Sequence, residues 1–207
     1  MRTLAIETAT EACSVALFDG TELAGSHHEV LGRGHAERLI PIIADMPDKG
    51  RADRILVSLG PGSFTGVRIG LAAARALGLA WRAQVLGYPT LALVNAVARR
   101  CYPDKCCSVA MRAGHGEVFA QNFDAAGMAQ DEVQSLVPEQ AARQLIHPII
   151  AGTAAEAVQF ARGHGIAAPM HPDARLVLTL ADQHLTKSLS AIYGRPPDAK
   201  LPAGTEA

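Results

Sequence analysis

Apolar-rich runs and helical periodicity alternate along the chain, and their order predicts its elements. Residues 3–6 and 13–18 are apolar-rich runs. The first ends in Glu7 and Thr8, the second in Asp19-Gly20, a dipeptide suited to a tight hairpin. Residues 23–30 predict a third strand, so the chain opens on a β-meander. Residues 34–46 then place Leu39, Ile42, Ile43 and Met46 at i, i+3, i+4 and i+7, one face of a helix, with Pro41 inside it predicting a kink. A buried-type strand at 55–59 leads through a glycine-rich turn into a helix over 65–82. A strand at 85–88 and a helix at 90–100, entered through Pro89, follow. Tyr102-Pro103-Asp104 reads as a boundary.

Beyond that boundary the pattern restarts. Strands are predicted at 108–111 and 117–123, with a turn at 124–127. Helices at 138–145 and 153–162 enclose a strand at 148–151. A final helix is predicted over 176–189, followed by a Pro-rich tail from 193 to 207. Meander followed by alternation implies mixed sheets flanked by helices. The expected organisation is two α/β lobes, residues 1–102 and a smaller 103–207, the last helix able to pack back on the first lobe.

Composition narrows the functional classes. Hydrophobic residues make up 49% of the 207 and aromatics 4%, so the core is built from small side chains. A formal net charge of −1 offers no basic surplus for gripping nucleic acid unaided. Glu7 and Glu11 interrupt any signal-peptide core, and the apolar stretch 69–81 is broken by Arg75 and too short to span a bilayer. A cytoplasmic chain is expected. Cys13 stands alone, while Cys101, Cys106 and Cys107 cluster without zinc-site spacing. They are either functional thiols or ordinary residues of a buried strand.

Three segments could carry chemistry. Gly60, Pro61, Gly62, Ser63, Phe64, Thr65 and Gly66, with Arg68 just beyond, lie where a strand meets a helix. Ser63 or Thr65 can cap that helix, and its free N–H groups could hold an anion. The P-loop lysine is absent, and a tight turn without a ligand is the alternative reading. The helix itself carries Gly66, Gly70, Ala74 and Gly78 every fourth residue, a smooth stripe for close packing against its own lobe or a partner helix. Arg68, Arg75 and Arg82 recur every seventh residue and share a face. Glu7, Thr8 and Thr10 end the first strand and could hold hydrated magnesium or phosphate, or form a polar turn. No H-x-x-x-H, H-E-x-x-H or G-x-S-x-G pattern occurs in the sequence, so a complete catalytic set is missing from it.

Residues 4–17, from Leu4-Ala5-Ile6-Glu7-Thr8-Ala9-Thr10 to Val15-Ala16-Leu17, resemble the opening of TsaB (YeaZ) proteins. Residues 60–70 look like that family's signature loop and helix start, Gly116-Glu117-Val118-Phe119 resembles a third motif, and Tyr193 with Arg195 resembles its closing Tyr-x-Arg. The resemblance implies a two-lobed actin/Hsp70-like (ASKHA, ribonuclease H-like) fold. It implies a non-catalytic subunit in the synthesis of N6-threonylcarbamoyladenosine in tRNA, paired with the catalytic paralogue TsaD and joined by the ATPase TsaE. The subunit itself would carry no cofactor. ATP and magnesium would sit on the partners, and tRNA would be met only through the complex.

The resemblance also places the interface on the two helices of the first lobe. It names His35, Arg38, Leu39, Ile42, Ile69, Ala72, Ala73, Ala76, Leu77 and Ala80, which could instead pair two copies when TsaD is absent. Two departures stand out. Glu7 replaces the family's usual Asp, moving the carboxylate by roughly 1.5 Å. Arg112-Ala113-Gly114 replaces its usual Asp-Ala-Arg. A stand-alone ASKHA ATPase or phosphotransferase is the alternative; nothing in the residues supports the peptidase implied by an older family name.

Overall fold

A computed structural model describes residues 1–194 of the chain. Among them the strands form two five-stranded sheets. In the first, β1 (Arg2–Glu7), β2 (Ala12–Asp19) and β3 (Glu22–Val30) form the expected meander. β4 (Arg54–Ser58) and β5 (Gln84–Tyr88) extend it in parallel beyond β1, giving the order β3-β2-β1-β4-β5. The second sheet contains β6 (Cys107–Arg112), β7 (Val118–Phe123), β8 (Gln134–Leu136), β9 (Ile149–Ala151) and β10 (Ile166–Ala168). Its order, β8-β7-β6-β9-β10, repeats the first: three antiparallel strands, then two parallel ones. Two copies of this order, one per lobe, make the fold the expected ASKHA type.

Alternation along the strands decides which helix goes where. Leu4, Ile6, Val15 and Leu17 point to one face, where α1 (His35–Ala44) and α2 (Phe64–Trp81) cover them with Leu39, Ile42, Ile43, Val67, Leu71 and Ala74. Ala5, Ala16 and Phe18 point to the other, towards Leu93 and Ala96 of α3 (Thr90–Cys101). The opposite flank of α3, through Leu91, Val94 and Ala98, joins the core of the second sheet with Val109, Met111 and Phe123. α3 therefore lies between the sheets. α4 (Pro138–Gln144) and α5 (Ala155–Arg162) close the outer face of the second sheet.

α1 continues through Pro41, whose carbonyl still accepts the Asp45 N–H at 3.0 Å. Strands β8 and β10 were not anticipated; at three residues each they are too short to show a period. The predicted helix over 176–189 is corrected. The chain there forms two 3-10 helices, Ala174–Thr179 and Asp182–His184, and then runs extended. Ala174 N–H is directed sideways to Ser14 Oγ (3.0 Å), and Ala174 and Val177, three apart, are both buried, which suits three residues per turn. Thr186 then exchanges two hydrogen bonds with Gly87, which an α-helix would forbid. This segment packs on the first lobe, since Ala174 and Val177 share a core with Ala5, Ala16 and Phe18. Arg195, of the closing motif, lies outside the described residues.

Candidate functional site

The glycine-rich loop and the end of β1 are interlocked. Thr8 Oγ1 donates to Gly66 O at 2.8 Å, and Ser63 N–H donates to Ala9 O at 2.7 Å. A Cβ on Gly62 would lie 2.0 Å from Ala9 O, one on Gly66 2.1 Å from Thr8 O, and one on Gly70 2.5 Å from Thr8 Oγ1. The small-residue stripe thus faces inward: Gly66, Gly70, Ala74 and Gly78 are buried against β1, β4 and β5. This settles which of the two packing partners the stripe serves.

The strand-end cluster is enclosed by the same contact. Glu7 and Thr8 are buried, and Thr10 nearly so, with Thr10 Oγ1 accepting the Ala12 N–H. The Glu7 carboxylate accepts the Ala9 N–H at 2.7 Å and the Tyr88 hydroxyl at 3.4 Å. Burial pushes its pKa up to about 7, against the pull of these hydrogen bonds. A carboxyl so enclosed is turned away from any ligand in the solvent. Among the described residues no group of three His, Cys, Asp or Glu side chains is placed to hold a metal ion.

Between the lobes lies a cleft of about 940 Å³. The first lobe lines it with Thr10, Pro61, Ser63, Phe64 and Arg68, the second with Arg112, Phe119 and Thr153, and the returning chain with Ile192 and Tyr193. Ser63 Oγ caps α2 by accepting the Gly66 N–H at 3.2 Å. The Arg68 guanidinium stacks on the Phe64 ring, 3.5 Å from its centroid. Arg112 and Thr153 are tied together, Arg112 N–H donating to Thr153 Oγ1 at 3.0 Å. The altered Arg112-Ala113-Gly114 segment therefore belongs to the cleft wall. Sequence reasoning singled it out for the change alone, without a place in the fold.

The outward face of α2 is apolar apart from the exposed Arg68 and Arg75 on its other margin. Ala72, Ala76 and Ala80 are exposed, Leu79 is 85% exposed, and Ile69, Ala73 and Leu77 are half-buried along one margin. Neighbouring α1 adds Ile40, 50% exposed. Leu79 and Ile40 were missed; their place on the helical wheel, opposite Ala74 and Ile42, was the available signal. Three residues of the expected interface fall elsewhere: His35, Leu39 and Ile42 are buried in the first lobe's own core, His35 within 3.3 Å of Ala12 O. Each sits on the side of α1 that must cover β2. Arg38 is exposed and paired with Glu29 at 2.8 Å, a contact that holds the Glu29 carboxyl below its ordinary range.

Comparison with known proteins follows this geometry. The family model described as TsaD, tRNA N6-adenosine threonylcarbamoyltransferase, matches residues 21–170. The tRNA threonylcarbamoyladenosine biosynthesis protein TsaB of Escherichia coli (strain K12) is 40% identical over 125 residues, 58% of this chain and 53% of that protein. The solved structure of YeaZ from Pseudomonas aeruginosa superposes with a TM-score of 0.78 at 28% identity, over 93% of this chain and 99% of that one. The chain belongs to the TsaB (YeaZ) family. It spans about half the length of the curated relatives it matches; an uncharacterised protein of Mycobacterium leprae (strain TN) is 32% identical over 95% of this chain but 55% of its own length. The TsaB resemblance read from the opening strand and the signature loop is thereby shown. Among the described residues no helix is long and apolar enough to cross a membrane.

Proposed function

We propose that this TsaB-family chain is a non-catalytic subunit of the machinery that makes N6-threonylcarbamoyladenosine in tRNA, and that it binds the catalytic TsaD subunit through the outward face of α2. The observation that carries the reading is that face: Ala72, Ala76, Leu79 and Ala80 present small and apolar side chains to solvent beside Ile40 of α1. Such a surface suits close helix-to-helix packing, with small residues letting two backbones approach. ATP and magnesium are assigned to TsaD and TsaE, and contact with tRNA to the assembled complex. Without TsaD, the same face would pair two copies of the chain.

Co-purification with the cognate TsaD tests the reading. The unaltered chain forms a complex at micromolar concentration; Ala76→Glu, which sets a charge in the middle of the face, abolishes it while the far-ultraviolet circular dichroism is unchanged. A complex that survives Ala76→Glu and Ala72→Glu alike removes α2 from the interface. The enclosure of Glu7 weighs against a stand-alone phosphotransferase, because the strand-end carboxylate is held inside the lobe. Tight binding of magnesium-ATP by the isolated chain in calorimetry would reverse that judgement.

A further inference from the structure

After Asp182–His184 the chain continues along the first lobe to the mouth of the cleft. Gly87 N–H donates to Thr186 O at 2.8 Å, and Thr186 N–H returns a bond to Gly87 O at 3.0 Å, fastening the segment to the free edge of the first sheet. Arg75 on α2 then donates to Leu189 O at 2.8 Å. Ile192 N–H donates to Leu59 O at 2.7 Å, beside the signature loop. At the cleft, Arg68 donates to the Tyr193 hydroxyl at 3.2 Å, and the Phe64 and Tyr193 rings lie 6.0 Å apart. The next residue, Gly194, is pressed against the second lobe: a Cβ there would sit 2.4 Å from the Phe119 ring.

We propose that residues 186–194 are a latch that sets the width of the interlobe cleft, with Tyr193 the catch and Arg68 the group that holds it. The segment touches both walls, through Phe64 and Arg68 on one side and Phe119 on the other. Ile192, Tyr193 and Gly194 also form part of the cleft's own lining, so their departure would both widen and unroof it. α3 joins the lobes within their shared core, while residues 192–194 touch both walls at the mouth of the cleft. Release is local: Arg68 and Tyr193 are both exposed, one hydrogen bond joins them, and one tilted ring contact joins Tyr193 to Phe64. Two of the three arginines spaced every seventh residue therefore have a shared task, since Arg68 and Arg75 hold two points of the same latch.

The inference does not depend on the partner assignment, and its test uses the full chain alone. Spin labels at Arg33→Cys and His115→Cys, on either side of the cleft, are placed in a Cys101→Ser, Cys106→Ser background and their separation is measured by pulsed dipolar spectroscopy. The expected result is one narrow distribution with the native latch. Tyr193→Phe, which removes only the hydroxyl, should shift it to longer distances, and Arg68→Ala, which also removes the stack on Phe64, should shift it further. Both substitutions lie on the surface, so the fold is retained and circular dichroism confirms it. A distribution unmoved by Arg68→Ala overturns the latch.

Discussion

Replacing Glu7 by Gln should make the protein more stable at neutral and alkaline pH and should flatten its pH dependence. In the unfolded chain this carboxyl ionises in the ordinary range near 4.5, whereas burial holds it at about 7 in the fold. The folded state therefore keeps its proton more tightly. The stability contributed by the protonated form is complete below about pH 4.5 and is lost as pH rises through 7. The difference corresponds to about 3 kcal/mol between the two ends of that window. Gln has the same shape, is neutral throughout, and its amide oxygen can still accept the Ala9 N–H. Urea unfolding of both proteins from pH 4 to 8.5 measures the effect. The variant's advantage should grow by about 3 kcal/mol over that range, equivalent to roughly 6–12 °C in Tm for a chain of this size. Other titrating groups are common to both proteins and cancel in the difference. Parallel stability curves would refute the argument, because they would mean that Glu7 titrates alike in the folded and unfolded chains.

Other substitutions test the interlock and the second lobe. Gly66→Ala sets a methyl 2.1 Å from the Thr8 carbonyl oxygen, which is backbone and cannot swing away, so a loss above about 3 kcal/mol is expected in denaturant unfolding. Gly116→Ala, at φ +78 with open space around it, should cost only about 1 kcal/mol, and equal losses at the two sites would remove the steric account. Asn122 joins Ser108 Oγ at 2.7 Å to the Asp131 carboxylate at 2.6 Å inside the second lobe. Asn122→Ala should cost about 2–4 kcal/mol, and a double-mutant cycle with Ser108→Ala should be non-additive; strict additivity would dissolve the network.

Much of this fold was legible in the sequence because local and global signals agree. The Asp19-Gly20 turn, the run 55–59 into the glycine loop, and Pro89 before α3 each marked a boundary that the packing keeps. Where the reading erred, tertiary contacts decided. The leucines between 176 and 189 carry helical spacing, yet Ser14 and Gly87 offer hydrogen bonds that draw the segment into 3-10 turns and an extended run. The glycine stripe announced close approach but could not say to what; Thr8 and Ala9, more than fifty residues away in sequence, answered it. His35, Leu39 and Ile42 show the same limit from the other side, since an amphipathic pattern finds a buried face without telling the protein's own core from a partner's. The cleft was legible only in pieces, as Arg68, Arg112 and Tyr193 meet only once both lobes are built.

The position of α3 has a further consequence for how the molecule comes apart. Leu93 and Ala96 belong to the core of one sheet while Leu91, Val94 and Ala98 belong to that of the other. Each sheet packs one of its faces on this shared helix, so melting either lobe strips apolar surface from the helix that supports its neighbour. The two halves repeat the same strand order, as independent domains might, but the shared helix couples them, and a single unfolding transition is the expected outcome in calorimetry. A first lobe made alone would carry its own exposed seam, and would gather into aggregates through the side of α3 that its missing twin should cover.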